Sequence, residues 1–348
     1  MDLFDYAAEL DYGELHFRVN PKTGLRAIVA LHNLQLGPAI GGCRFIEYPS
    51  TDDAVRDAMR LARGMTYKAA ITDLPHGGGK SVLIRPPNLS EEQRTAIFEE
   101  FGEFIDGLNG NYITAEDSGT TVADMDIIHE QTDHVLGYSA DEGGSGDPSP
   151  VTARGVLHGI QAAAKYKYDR DKLSGLKVAI QGVGNVGYNL AEDLHERGAE
   201  LVVTDVDTQA VERCVGEFGA TAVDADEIFG VDCDIFAPCA LGAAINDDTL
   251  PQLNCDIVAG AANNQLARAR HGEQLRDRGI LYAPDYAINA GGLIFVAAAM
   301  AGDSNDFSRR KTEGIYDTMI EIFERADAAA LPTNVIADRI VEEKLDIG

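Results

Sequence analysis

The stretch from Lys177 to Asp205 constrains this chain more than any other. Lys177-Val-Ala-Ile180 reads as a buried strand, Gly182-Val183-Gly184-Asn185-Val186-Gly187 follows and opens a helix to Arg197, and Leu201-Val-Val-Thr204 is a second strand ending at Asp205. A lone G-x-G-x-x-G says little. Set between a strand and a helix, with an acid 18 residues after the last glycine (205 − 187 = 18), it predicts a dinucleotide-binding βαβ unit. Gly182 makes the turn, Gly184 lets a pyrophosphate approach the amides at the helix start, and Gly187 lets helix and strand pack closely, with Val183, Asn185 and Val186 completing the loop. Asp205 is placed to accept from both ribose hydroxyls. A 2′-phosphate there would meet Asp205 and Asp207 with no basic residue before Arg213. Like charges about 4 Å apart cost roughly 4 kcal/mol at an effective dielectric near 20, so NAD is expected rather than NADP.

Further strands at 234–236, 256–259 and 280–282 alternate with helical stretches, which predicts a doubly wound parallel sheet. The first third reads differently. Residues 14–33 alternate, 52–70 have helical periodicity, 82–84 form a short strand, 90–108 a helix and 112–114 another strand. Thr121 then caps a helix carrying Met125, Ile128 and His129. Between the two patterns, residues 139–150 are a turn-rich connector. The expected fold class is α/β with two domains: a mixed α/β substrate, catalytic and oligomerisation domain at 1–138 plus about 326–348, and a Rossmann-type NAD-binding domain at 139–325. A length of 348 residues suits two cores.

A net charge of −28 repels nucleic acid and anionic membrane, which excludes both as partners. No stretch approaches the roughly 20 apolar residues of a membrane span, and the start lacks a basic leader, so a cytoplasmic setting is expected. The five cysteines form no C-x-x-C pair and read as reduced thiols; the scattered histidines indicate no metal site.

Lysines are few here, yet Lys68 and Lys80 bracket Gly77-Gly78-Gly79, read as a turn that lets backbone lie against a small anion. The ending Gly79-Lys80-Ser81 imitates a P-loop, but Leu74 stands where that motif needs its first glycine. A tight turn bearing a surface lysine is the plain alternative. Oxidising an amino acid needs a cation for the α-carboxylate, a group that moves protons on the amine, and a cation beside the reacting carbon. Lys68, Asp117 and Lys80 are one set able to fill those roles. A hydroxy-acid oxidoreductase would use a histidine paired with a carboxylate, and no histidine but His129 stands near Asp117. A non-catalytic NAD-binding protein would lack one of the three groups.

Thr66-Tyr-Lys68, Gly77-Gly-Gly-Lys80, Tyr112-Ile-Thr-Ala-Glu-Asp117, Pro150-Val-Thr152, Ala259-Gly-Ala-Ala-Asn263-Asn264-Gln and Asn289-Ala-Gly-Gly292 occur in this order along nearly the whole chain. Together they resemble the Glu/Leu/Phe/Val dehydrogenase family, nearest its leucine-type members. The resemblance implies that Lys68 binds the substrate α-carboxylate with Asn289, that Lys80 is the catalytic lysine, and that Asp117 transfers protons. It implies substrate contacts at Gly41 and Met65, and contacts to the nicotinamide half of NAD at Thr152 and Asn263. Read alone, Asn289 could cap a helix and Thr152 could be an N-cap. Arg85-Pro86-Pro87 departs from the family's usual small polar or acidic residue before a proline, away from any catalytic position.

Glutamate-using members of that family place a lysine and a serine around the substrate's distal carboxylate, and the matching positions resemble Ile40 and Val296 here. With Ala115 and Leu293 these would line an apolar pocket, where an unpaired carboxylate costs several kcal/mol. The expected reaction is reversible oxidative deamination of leucine, valine or isoleucine to the 2-oxo acid and ammonia. Leu293 is bulkier than the valine usual in leucine-type members, which keeps phenylalanine as the alternative substrate. The resemblance also implies a homo-oligomer and closure of a cleft between the domains.

Overall fold

A computed structural model describes residues 2–139, 146–240, 242–302 and 305–347. Half of the connector expected at 139–150 lies outside them, at 140–145. The chain divides into two compact units, Met1–Asp147 with Val341–Gly348, and Pro148–Ile340. The expected boundaries were 138/139 and about 326. Residues 326–340 stay with the second unit because α12 (Ile315–Ala329) packs on α5 (Ser149–Tyr168), with the Tyr166 ring tilted against Phe323, and because Thr333 donates to the Tyr282 carbonyl and Asp338 accepts from the Tyr286 hydroxyl.

In chain order the first unit contains α1 (Leu3–Glu9), β1 (Glu14–Asn20), β2 (Leu25–Asn33), β3 (Ala39–Ile46), α2 (Thr51–Ile71), β4 (Gly77–Ile84), α3 (Glu91–Asp106), β5 (Tyr112–Glu116) and α4 (Val122–His129). Among the described residues its sheet has five strands in the order β1-β2-β4-β3-β5; β1 and β2 are antiparallel, β2 meets β4 antiparallel, and β3 runs parallel to both β4 and β5. The helices start where short polar side chains cap them: Ser50 accepts from the Asp53 amide, Ser90 from Gln93, and Thr121 shares a capping box with Asp124. Phe45, Phe98, Phe101 and Tyr112 fill the core on the α3 face, while Met59 and the alanines of α2 fill the other.

Two sequence expectations change here. The alternating run 14–33 is a hairpin of two strands, turned at 21–24. The triple glycine is not a turn: Gly77, Gly78 and Gly79 begin β4, buried along its whole length. Their lack of side chains serves packing. A Cβ on Gly78 would lie 1.9 Å from the Thr66 nitrogen of α2, and one on Gly41 would lie 1.7 Å from the Gly79 carbonyl oxygen. No neighbour made of backbone can yield that space.

The second unit contains α5, β6 (Lys177–Gln181), α6 (Asn185–Glu196), β7 (Glu200–Thr204), α7 (Thr208–Phe218), β8 (Thr221–Ala222), β9 (Ile235–Pro238), β10 (Ile257–Val258), α8 (Arg270–Asp277), β11 (Leu281–Tyr282), α9 (Asp285–Ile288), α10 (Gly291–Met300), α11 (Asn305–Glu313), α12 and α13 (Thr333–Leu345), the last crossing into the first unit. Its strands are all parallel and ordered β11-β10-β9-β6-β7-β8 among the described residues. Counted from β6 this is 3-2-1-4-5-6 reversed, the doubly wound order, with its switch point between β6 and β9. No helix of the described residues is long and apolar enough to cross a membrane.

Candidate active site

In the first unit, three elements bring the predicted catalytic groups together. Lys80 sits in β4 with its side chain 6% exposed, and its Nζ meets Oδ2 of Asp117, the residue just past β5. Between β4 and β5 lies β3, and Gly42 opens the way across it. A Cβ there would stand 2.7 Å from Asp117 Cβ and 3.0 Å from its Oδ2. The Asp117 backbone is pinned by Thr120, whose hydroxyl accepts from the Asp117 amide at 2.9 Å and contacts the Cys43 carbonyl at 3.0 Å. Tyr112 donates to the Gly41 carbonyl at 2.6 Å, fixing the floor beneath the pair.

Burial is the main force on Lys80, followed by the Arg44 guanidinium; together with Lys68 they push its ammonium down to about 7, against the pull of Asp57. A lysine in that range changes charge near neutrality and can exchange a proton with water. Lys68 lies three residues after Met65 on α2, so both share a helix face; both are half-buried. Ile40 is buried in β3, opposite Gly78 and Ile113, and Ala115 is half-buried in β5, opposite Gly42.

Two further groups, not singled out in the sequence, belong to this site. Arg44 Nη2 stands 3.4 Å from Asp117 Oδ1, and its Nη1 donates to Asp57 at 2.7 Å. The signal was an arginine two residues beyond Gly42 in a strand with no other charge.

In the second unit the glycine loop has the expected shape. Gly182 has φ +97°, and its amide donates to the Thr204 carbonyl at 2.8 Å. Gly184 is the N-cap of α6 and makes no side-chain cap, so the first amides of the helix have no such partner. A Cβ on Gly184 would meet nothing within 4 Å, whereas one on Gly187 would lie 2.0 Å from the Gly182 carbonyl. The first glycine leaves open space for a ligand and the second is required by packing. Asp205 accepts from the Val183 amide at 2.7 Å and from the Asp207 amide at 2.9 Å, tying the loop to the end of β7. Each carboxylate oxygen keeps a second lone pair for a ribose hydroxyl. These residues fit a dinucleotide.

Asn263 lies in the segment 259–264, which Gln265 braces by donating to the Gly260 and Ala262 carbonyls. Asn289 is the C-cap residue of α9 yet makes no side-chain cap; its amide donates to the Ala261 carbonyl at 2.9 Å and to Asn263 Oδ1 at 2.8 Å. Both amide protons are thus engaged, and gripping a carboxylate would require giving one up. Thr152 is inside the first turn of α5, not an N-cap, with its hydroxyl on the Pro148 carbonyl at 3.1 Å. Leu293 and Val296 are three apart on α10, so they share a face, Leu293 buried and Val296 half-buried. No group of three or more histidine, cysteine, aspartate or glutamate side chains able to hold a metal ion occurs among the described residues.

Residues 12–134 match the Glu/Leu/Phe/Val dehydrogenase dimerisation domain, and residues 143–211 and 203–335 match the Glutamate/Leucine/Phenylalanine/Valine dehydrogenase domain. The chain belongs to the Glu/Leu/Phe/Val dehydrogenase family. It is 52% identical to a leucine dehydrogenase of Bacillus subtilis over 99% of this chain and 94% of that protein. It is 42% identical to a phenylalanine dehydrogenase of Caldalkalibacillus thermarum over 98% of this chain and 93% of that one. The crystal structure of an L-tryptophan dehydrogenase from Nostoc punctiforme superposes with a TM-score of 0.87 at 41% identity, covering 99% of this chain and 98% of that one.

Proposed function

We propose that this protein is an NAD-dependent L-amino acid dehydrogenase that oxidatively deaminates leucine, valine and isoleucine, reversibly, to 2-oxo acids and ammonia. The observation that carries the reading is the buried contact of Lys80 with Asp117, in a chain half identical to a leucine dehydrogenase throughout. When bound, NAD supplies the acceptor for the hydride leaving the α-carbon.

The chain's own groups account for the rest. Lys68 holds the α-carboxylate, and Asp117 takes a proton from the substrate ammonium. Loss of hydride leaves an iminium. Neutral Lys80 then removes a proton from the attacking water, and as an ammonium it stabilises the oxygen of the resulting carbinolamine. Asp117 returns a proton to the nitrogen, and as the C–N bond breaks the carbinolamine hydroxyl gives its proton to the freed Asp117 carboxylate, leaving the 2-oxo acid and ammonia. Asn289 acts through Asn263, holding it for the nicotinamide half of NAD, to which Thr152 of α5 adds a contact in this reading. Ile40, Ala115, Leu293 and Val296 carry no charge, which favours an apolar side chain over glutamate.

The first unit is the substrate and catalytic domain in this reading, the second the NAD domain. The edge strand β1, with Phe17 and Val19 exposed, is in keeping with a homo-oligomer. The test is NAD reduction followed at saturating NAD across a panel of L-amino acids. Leucine, valine and isoleucine should give the highest kcat/KM; a tenfold preference for phenylalanine would overturn the substrate assignment, which the bulk of Leu293 makes the specific rival.

A further inference from the structure

Arg44 touches the Asp117 carboxylate of the catalytic pair. Its Nη2 is 3.4 Å from Asp117 Oδ1, while the other oxygen of Asp117 faces Lys80. It is itself gripped from behind. Asp57 of α2 accepts from Arg44 Nη1 at 2.7 Å, from the Tyr48 hydroxyl at 2.6 Å and from Arg60 at 3.1 Å. This second row is largely buried, with the Arg44 and Asp57 side chains 21% and 16% exposed. A guanidinium held so firmly cannot swing away when Asp117 changes charge.

We propose that Arg44 is a positioning residue of the reaction: held by Asp57 and Tyr48, it fixes the Asp117 carboxylate by one oxygen so that the other meets Lys80. This rests on the catalytic roles assigned above to Lys80 and Asp117. The charges around Lys80 set the sign. Arg44 and Lys68 disfavour its ammonium, while Asp57 and the Asp117 carboxylate in contact with its Nζ favour it. Cys43 on β3 has its thiol pushed up to about 12 by burial and stays neutral. Asp117 lies beyond β5, whose Glu116 is exposed. On β2, His32 is bonded to Thr66 and Arg26 to Thr51.

Arg44 and Asp57 therefore act on Lys80 in opposite directions, although they form one ion pair. A merely structural pair would give variants with the same phenotype. The test compares Arg44→Gln, Arg44→Lys and Asp57→Asn by the acidic limb of kcat/KM for L-leucine against pH. In parallel, the pH at which Lys80 becomes reactive to a small amine-directed reagent is read by peptide mass spectrometry. Circular dichroism and the thermal midpoint confirm that each variant is folded. Arg44→Gln should move both midpoints up by about one pH unit, and Asp57→Asn should move both down. Arg44→Lys should keep the midpoints near those of the parent but lower kcat about tenfold, because an ammonium lacks the fork that orients Asp117. Shifts of the same sign in Arg44→Gln and Asp57→Asn, or none in folded Arg44→Gln, overturn the inference. Should the parent show no amino acid turnover, the function proposed above fails, while the labelling midpoints still decide the role of Arg44.

Discussion

A Cβ on Gly78 would lie 1.9 Å from the backbone nitrogen of Thr66. The strand that carries Lys80 and the helix that carries Lys68 are therefore in backbone contact, and the spacing of the two lysines is set by main chain rather than by adjustable side chains. Glycine here is a packing requirement, and at Gly184, where nothing lies within 4 Å, it is not.

Alanine substitution should separate these uses. Gly78→Ala and Gly41→Ala should each lower the thermal midpoint by several degrees or yield insoluble protein, since only backbone is there to move. Gly184→Ala should leave the midpoint within about a degree and weaken NADH binding about tenfold or more, by fluorescence titration. Equal losses of stability at all three would contradict the distinction.

Gly42→Ala tests the passage between Asp117 and Lys80. The added methyl would press on the Asp117 side chain, 2.7 Å from its Cβ, and push the carboxylate off the lysine. The expected outcome is a fall in kcat of about a hundredfold with NADH affinity unchanged. Unaltered kcat in the folded variant would mean that the pair does not need its close approach.

The acidic limb of kcat/KM should have its midpoint near that of Lys80, about 7. Stability has the corresponding sign. In the unfolded chain this lysine holds its proton to the ordinary value of 10.5, so between about 7 and 10.5 the unfolded state binds more protons and stability rises with pH. Lys80→Met removes that dependence. It should gain on the order of 2 kcal/mol over the parent near pH 6, as read by urea unfolding, and lose most of that advantage by about pH 10. Turnover should be absent while NADH binding remains.

Asp205 should govern the choice of cofactor. Asp205→Ser removes the charge that a 2′-phosphate would meet, and NADPH-linked kcat/KM should rise relative to NADH-linked by about tenfold or more. It also loses the carboxylate bonded to the Val183 amide, so affinity for NADH should fall as well. A parent enzyme that used both cofactors equally would remove the basis for this.

The second unit was legible because its signals are local. The run from Lys177 to Asp205 states strand, turn, helix and strand within one window, and the structure keeps each within a residue or two. The meeting of Lys80 with Asp117 was legible from residue type and from the family motifs around them. Arg44 and Gly42 were not, since both matter through β3, whose sequence Ala39-Ile-Gly-Gly-Cys-Arg-Phe-Ile46 breaks apolar alternation with two glycines and does not read as a strand. The same cause hid the start of β4. A glycine that marks a turn in isolation marks close approach when another backbone lies against it, and sequence separation conceals that neighbour.

Lys344 donates to the carbonyls of Ala70 and Ile71 and to the Asp73 carboxylate at 2.7 Å, closing the C-terminal end of α2. On the ribosome this latch comes late. The helix bearing Lys68 emerges early, yet the entire second unit must be synthesised before residue 344 exists to secure it, so the first unit cannot reach its final form in the order its residues are made. A nascent chain halted after residue 340 should therefore leave α2 fraying at the end that presents Lys68.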